Sequence, residues 1–183
     1  MASLRKNIMY SSVLTVANYL FPLVTFPYVS RVLGVDNIGA CNFVDSIINY
    51  FVLFSMLGIS TVGIREISQC GKDREKLDLT FSRIFTINTI TTSIALALLV
   101  IGVFTVPQLR ENQQLMWIGA LKLVSNYLLV EWLYKGLEEF KYITNRTVLV
   151  KMLYVVAVFL FIKSPEDTYL YYLLLTLMIT GNA

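Results

Sequence analysis

A small set of polar side chains stands where polar side chains are costly. Asn18, Asn42, Asp45, Asn49, Lys122 and Asn126 fall within stretches that are otherwise apolar, and Arg31 stands just beyond the end of one. Asp45 is the acidic residue deepest in its stretch, and a buried carboxylate must be paired, hydrated or protonated. Counted at 1.5 Å per residue of helix, Asp45 and Lys122 lie at matching depth, roughly 9 and 10 Å below the outer ends of their segments. Two chemistries follow and stay open at this level. The two can form a structural ion pair, or they can line an outward-facing polar cavity that meets a charged substrate or a coupling ion.

The neighbouring residues extend this pattern. Ser11, Thr15, Asn18, Pro22 and Thr25 recur at helical spacing, so they make one stripe, with Pro22 and Pro27 each removing a backbone donor and favouring a bend. The hydroxyls of that stripe suit ordinary helix packing equally well, whereas Asn18 beside a proline is the better candidate for a cavity wall. Asn42, Asp45, Ser46 and Asn49 share a second face, and Lys122, Ser125 and Asn126 a third. Asn88, Thr89, Thr92 and Ser93 form a milder face suited to packing. Lys151 is expected near a segment end, with its ammonium reaching the interface, and Glu131 is expected to pair with Lys135 one turn on.

Composition removes whole classes of chemistry. The chain of 183 residues has no histidine, which excludes imidazole catalysis and His-ligated metal. Its two cysteines, Cys41 and Cys70, are far from a CxxC spacing and fall on opposite membrane sides in the topology below, so neither a disulfide nor a metal site is expected. No Gly-rich phosphate loop is present, and no cofactor is expected. The net charge of +3 comes from basic residues flanking apolar runs, which argues for membrane topology and against nucleic acid as a partner. Asn145-Arg146-Thr147 has the glycosylation spacing but falls on the cytoplasmic side.

The elements that must position the polar groups are helices in a bilayer. Hydrophobic residues make up 56% of the chain and charged ones 15%, and mean hydropathy is +0.66, which leaves little room for a soluble enzyme. Charge-free runs at 8–30, 46–64, 84–109 and 168–183 approach or exceed the roughly 20 residues that cross a hydrocarbon core. The reading is all-α, a polytopic transmembrane bundle of about six spans at 8–29, 39–63, 81–104, 115–134, 147–162 and 169–183. With alternating spans, Arg5, Lys6, Arg65, Lys72, Arg74, Lys76, Arg83, Lys135, Lys141 and Arg146 share one side, against Arg31, Arg110 and Lys163 on the other. That bias places the N-terminus in the cytoplasm. The charged stretch 64–80, interrupted by Gly71, is expected as a helix-turn-helix connection. Six spans that stop abruptly match one half of a repeat-built transporter, so residues 1–183 are read as an N-terminal transmembrane lobe whose C-terminal lobe is missing.

The stretch from Phe21 to Ser68 carries a resemblance. Its proline-bearing first span runs into Ser30-Arg31-Val32-Leu33-Gly34, followed by Gly39, a polar second span, and a block from Gly58 to Glu66 that closes on Arg65-Glu66-Ile67. This resembles the N-terminal segment of bacterial polysaccharide flippases of the Wzx type, within the multidrug/oligosaccharidyl-lipid/polysaccharide exporter superfamily. Lys135, Gly136, Leu137, Glu138 and Phe140 resemble that family's connection between the fourth and fifth spans.

The resemblance implies a multi-pass carrier of the bacterial inner membrane, not an enzyme. Its cargo would be an undecaprenyl-diphosphate-linked oligosaccharide, moved from the cytoplasmic to the periplasmic leaflet during O-antigen or other surface polysaccharide synthesis. Ion-coupled alternating access would drive it. Arg31 and Lys122 would meet phosphates, the amides of Asn18, Asn42, Asn49 and Asn126 would meet sugars, and Asp45 would couple an ion. Arg31 has an equal rival role against Asp36. Partners would be the lipid-linked oligosaccharide, membrane lipids, and the polysaccharide polymerase with its chain-length machinery. A multidrug exporter of the same superfamily is the alternative in class. A membrane-embedded polymerase or ligase calls for a large outer loop, and a purely structural subunit leaves the aligned polar faces unexplained.

Overall fold

The computed structural model describes residues 4–71, 73–128 and 130–182, with the side chains of Leu4 and Arg5 left aside. The topogenic charges assigned to Arg5 and Lys72, and the last residue of the 169–183 span, thus lie outside what is described. Among the described residues the chain is helical apart from short turns, with no strand. The helices are α1 (Leu4–Leu33), α2 (Val35–Met56), α3 (Ile59–Cys70), α4 (Arg74–Thr105), α5 (Pro107–Glu111), α6 (Gln113–Ser125), α7 (Glu131–Gly136), α8 (Phe140–Phe161) and α9 (Thr168–Thr180). Helices are the form the sequence demands, because each satisfies its own backbone groups where water is absent.

Each long helix buries one narrow stripe. In α2 the buried positions are Ile38, Cys41, Val44, Ile48 and Ser55, at steps of three, four or seven residues, and in α4 they are Ile84, Asn88, Thr92, Ala95, Leu99 and Val103, at steps of three or four. The rest of α4 leaves Ile87, Ile90, Ile94, Leu98 and Ile101 more than half exposed. Apolar surface on that scale cannot face water, and four segments (Lys6–Leu33, Val35–Cys70, Arg74–Thr105 and Phe140–Phe161) are long and apolar enough to cross a bilayer. The chain is an all-α membrane protein.

Three apolar clusters hold the bundle. The largest joins α2, α4 and α6 around Val44, Ile48, Leu99, Met116 and Leu123, and Tyr172 of α9 completes it. Val29 and Leu33 of α1 meet Tyr154 and Val158 of α8 with Ile38 of α2. Ile59, Ile67 and Ile84 enclose Trp132 of α7.

The helix ends differ from the sequence reading in informative ways. The run 39–63 is broken where Leu57 and Gly58 both take positive φ, 39° and 79°, which ends α2 and starts α3. A left-handed Leu costs about 1–2 kcal/mol, and the Leu57 amide still closes the helix end by donating to the Leu53 carbonyl at 3.3 Å. The carbonyl of Ser55 beside this break accepts a hydrogen bond from Thr91 Oγ1 at 2.5 Å. The expected span 115–134 is likewise not one helix. After Ser125 the chain tightens through three successive i→i+3 bonds, from the amides of Asn126, Tyr127 and Leu128, and α7 begins only at Glu131.

The expected fifth span, 147–162, is the tail of a 22-residue helix beginning at Phe140. Its first turns carry Lys141, Asn145 and Arg146, so counting apolar residues alone cut it short. The sixth is a 13-residue helix ending at Thr180. The stretch 64–80 forms the expected hairpin of α3 and α4, turned at Gly71 and capped by Asp73, whose carboxylate accepts from the Lys76 amide at 3.2 Å.

The turn before α9 depends on Asp167. Its carboxylate accepts from the Lys163 and Ser164 amides, both at 2.9 Å, and these bonds hold its pKa below the usual carboxylate value. A lowered folded pKa means that stabilisation is present above the unfolded value and is lost as pH falls through the folded one. Asp167→Ala is therefore expected to speed amide exchange at Ser164 at neutral pH, with the difference from the parent chain closing under acid; hydrogen exchange followed by mass spectrometry reads it.

Candidate functional site

The polar residues separate into three groups. The first joins α2 to α6 and α9. Lys122 Nζ donates to Asp45 Oδ1 at 3.1 Å and to Asn49 Oδ1 at 2.5 Å, while Asn49 Nδ2 donates back to Asp45 Oδ2 at 2.9 Å. Tyr172 Oη reaches Asp45 Oδ1 at 3.5 Å. The depth match read from sequence is a real juxtaposition. The Lys122 side chain is only 9% exposed, against 25% for that of Asp45, so the ammonium is spoken for and the carboxylate keeps an open edge. Of the two chemistries open for this pair, the ion pair is present in the structure.

Gly119 makes that arrangement possible. A Cβ there would stand 2.7 Å from Ile48 Cγ1 and 2.8 Å from Tyr172 Oη, so α2, α6 and α9 close up only over a hydrogen. Gly119→Val is expected to cost about 1–3 kcal/mol through overpacking. Thermal unfolding of the detergent-solubilised chain should show it.

The second group is an enclosed polar knot. Asn126 is buried and its Nδ2 lies 2.8 Å from Ser55 Oγ, 3.0 Å from Thr92 Oγ1 and 3.4 Å from Asn88 Oδ1. Asn88 Nδ2 in turn donates to the Asn126 carbonyl at 2.8 Å, which satisfies a backbone group freed by the end of α6. This corrects the sequence assignment of Asn126 to a cavity wall, because the side chain is buried and its Nδ2 ties α2, α4 and α6 together, while its Oδ1 is left without a partner. Asn126→Leu is expected to strand the Asn88 and Thr92 polar atoms and to destabilise the fold by about 1–3 kcal/mol. The measurement is again the unfolding midpoint, with Asn42→Leu as an exposed control near zero.

The third group is what the apolar count missed. Lys151 Nζ donates to Asn18 Oδ1 at 2.5 Å, joining α8 to α1. Lys151 sits near the middle of α8, so its expected place at a segment end is corrected by the true start of the helix. Asn18 is exposed and Lys151 partly so, and among the described residues no carboxylate pairs with that ammonium. The signal available in the sequence was Asn18 itself, an amide one turn before Pro22. Pro22 and Pro27 remain inside a continuous α1, where they deprive the carbonyls of Asn18 and Leu23 of their helical donors. Thr15 and Thr25 satisfy themselves on the carbonyls of Ser11 and Phe21, and Thr25 is buried, which is the packing role open to that stripe.

Asn42 is exposed on α2, where Ser46 and Asn49 continue the same face. Arg31 is exposed at the end of α1, and among the described residues it makes no ion pair with Asp36. The structure brings Asp45, Asn49 and Lys122 into one cluster and couples Asn18 to Lys151. It gives Arg31 and Asn42 no partner in either. Glu131 and Lys135 pair at 2.9 Å as their spacing implies. Among the described residues no three Cys, Asp or Glu come together as metal ligands.

The family described as "Polysaccharide biosynthesis protein" matches residues 4–181, from the start of α1 past the end of α9. The chain belongs to that family. Among curated proteins, a member named "Putative O-antigen transporter" from Escherichia coli (strain K12) is 28% identical over 165 residues, covering 90% of this chain and 40% of that protein. A protein of the same name from Shigella dysenteriae is 25% identical over 164 residues, covering 90% of the chain and 41% of its own length. The chain thus spans about two-fifths of the family members it matches. No solved structure matches it.

Proposed function

We propose that this chain is the first lobe of an inner-membrane carrier that moves a lipid-linked oligosaccharide between leaflets during surface polysaccharide synthesis. It acts as a transporter and performs no covalent chemistry. Both curated relatives are named as O-antigen transporters, which supports polysaccharide translocation as the activity. The observation that carries the reading is the Lys151–Asn18 pair, an ammonium with no carboxylate partner among the described residues and an exposed amide, both near the middle of their helices. A cation there cannot face lipid without great cost, so this face lines a wet chamber or meets the remainder of a longer carrier.

In that chamber a diphosphate head group needs cations and charge-assisted hydrogen bonds, and sugars need planar amides. Lys151 supplies the first, with Arg31 as a second cation toward the end of α1. Asn18, Asn42 and Asn49 supply the amides, and Asp45, with its open edge, is the carboxylate for ion coupling. A coupling ion bound at the open edge of Asp45 would compete with Lys122 and shift the α2–α6 contact, which gives a gradient something to act on. The N-terminus lies in the cytoplasm in this reading, and the polymerase and chain-length machinery take up the product.

A multidrug exporter suits a free cationic lysine poorly, since its cargo is itself cationic or apolar. The test is complementation of a strain lacking its own carrier by a full-length carrier that includes this lobe. Asn42→Leu, and Asp45→Asn with the ion gradient intact, should each lower surface polysaccharide with the protein still in the membrane. Normal polymer from both would remove the chamber assignment.

A further inference from the structure

The polar knot around Asn126 holds more oxygen than it has hydrogen to satisfy. Asn126 Nδ2 carries two hydrogens, yet three side-chain oxygens close on it: Ser55 Oγ at 2.8 Å, Thr92 Oγ1 at 3.0 Å and Asn88 Oδ1 at 3.4 Å. The Ser55 hydroxyl donates its own hydrogen to the Val52 carbonyl at 2.7 Å, so it meets Asn126 only as an acceptor. Asn126 Oδ1 is buried with no hydrogen-bond partner among the described residues. None of the four residues is more than 3% exposed, and an acceptor left unsatisfied at such burial costs about 1–3 kcal/mol. The backbone adds to this excess. α2 ends at Met56, one residue past Ser55, and α6 ends at Ser125, one residue before Asn126, so two helix C-termini bring their partial negative charge to the knot. Lys122, in the last turn of α6, is turned away onto Asp45 and Asn49.

We propose that this knot is a sodium site. Turning the Asn126 amide over about its last side-chain bond brings Oδ1 to the three oxygens in place of Nδ2, which gives two amide and two hydroxyl ligands around one ion. Oxygens held about 2.3–2.6 Å from a cation of this size stand roughly 3.3–3.7 Å apart, so the cluster opens by about half an ångström on binding. A neutral set selects a monovalent ion. Ca²⁺ and Mg²⁺ are ordinarily held with carboxylates, and no carboxylate among the described residues bonds to this knot. Interrupted helices inside a bilayer hold sodium at such C-terminal ends for the same electrostatic reason. The bound ion ties α2, α4 and α6 together where two of them break, and so stiffens both breaks. The inference stands apart from the carrier reading and from Asp45, whose open edge belongs to the Lys122 cluster.

The test unfolds the full chain thermally in detergent, in sodium chloride and in choline chloride at equal ionic strength, and counts binding of radioactive sodium directly. Sodium should raise the unfolding midpoint saturably and choline should not, because a ligand held only by the folded chain stabilises it by mass action. Thr92→Val keeps the side-chain shape but removes one oxygen, and should raise the sodium concentration for half the effect on the order of tenfold; Thr92→Ser should restore it. Asn126→Asp puts a charge into the ligand set and should lower that concentration by a similar factor. Each variant is compared with itself in the two salts, so a change in its basal stability does not enter. Equal midpoints in both salts with no sodium counted would make the knot a hydrated polar contact and overturn the inference. A sodium response kept in Thr92→Val but abolished in Asp45→Asn would place the ion at Asp45 and overturn it as well.

Discussion

Lys122→Ala is expected to destabilise the chain by about 3 kcal/mol, at the lower end of the range for breaking a buried pair because Asp45 keeps a quarter of its side chain exposed. The loss is more than one hydrogen bond. Lys122 Nζ serves Asp45 and Asn49 together, and its removal leaves the carboxylate facing the Tyr172 hydroxyl and the Asn49 amide in an otherwise apolar interface of α2, α6 and α9. Replacing both ends, Asp45→Leu with Lys122→Met, should recover most of that loss, since an apolar pair of similar volume replaces a buried ion pair at little net cost. Denaturant unfolding in detergent provides both numbers. A single variant as stable as the parent would show that Lys122 is free, and would return it to the substrate.

Lys151→Gln is expected to do the opposite. With no carboxylate partner to strand, it should change stability by less than about 0.5 kcal/mol. Transport of an anionic head group should fall roughly 10- to 100-fold, the worth of a hydrogen bond to a charged group. Lys151→Arg keeps the charge and should restore part of the rate. The sharper variant is Asn18→Asp, which places a carboxylate where Asn18 Oδ1 now accepts from the ammonium at 2.5 Å. A merely structural pair would be strengthened by that change, whereas an anion-binding lysine would be quenched. Accumulation of surface polysaccharide in the complemented strain, normalised to carrier in the membrane, separates the two.

Helical membrane character was legible because composition and charge-free runs state it directly. The meeting of Asp45 with Lys122 was legible too, since helix rise converts residue number into depth. Three things were not. The breaks at Leu57–Gly58 and after Ser125 fall inside apolar runs, where hydropathy is silent and only backbone dihedrals or a polar knot ends the helix. Asn126 has the same residue type as Asn42, and burial alone distinguishes a knot from a cavity wall. Lys151 was misplaced because α8 starts with polar turns that an apolar count leaves out, which moved the lysine toward an end it does not occupy.

In the carrier reading, polar faces on α1, α2 and α8 border water within the membrane. Single cysteines at Asn18, Asn42 and Lys151, in a chain with Cys41 and Cys70 replaced, can be set against Leu23 and Leu153, which are 71% and 62% exposed on the same helices α1 and α8. A membrane-impermeant thiol reagent should modify the three polar positions readily and leave the two leucine positions protected by lipid. Equal protection of all five would mean that these polar residues are sealed, and the carrier account would be contradicted.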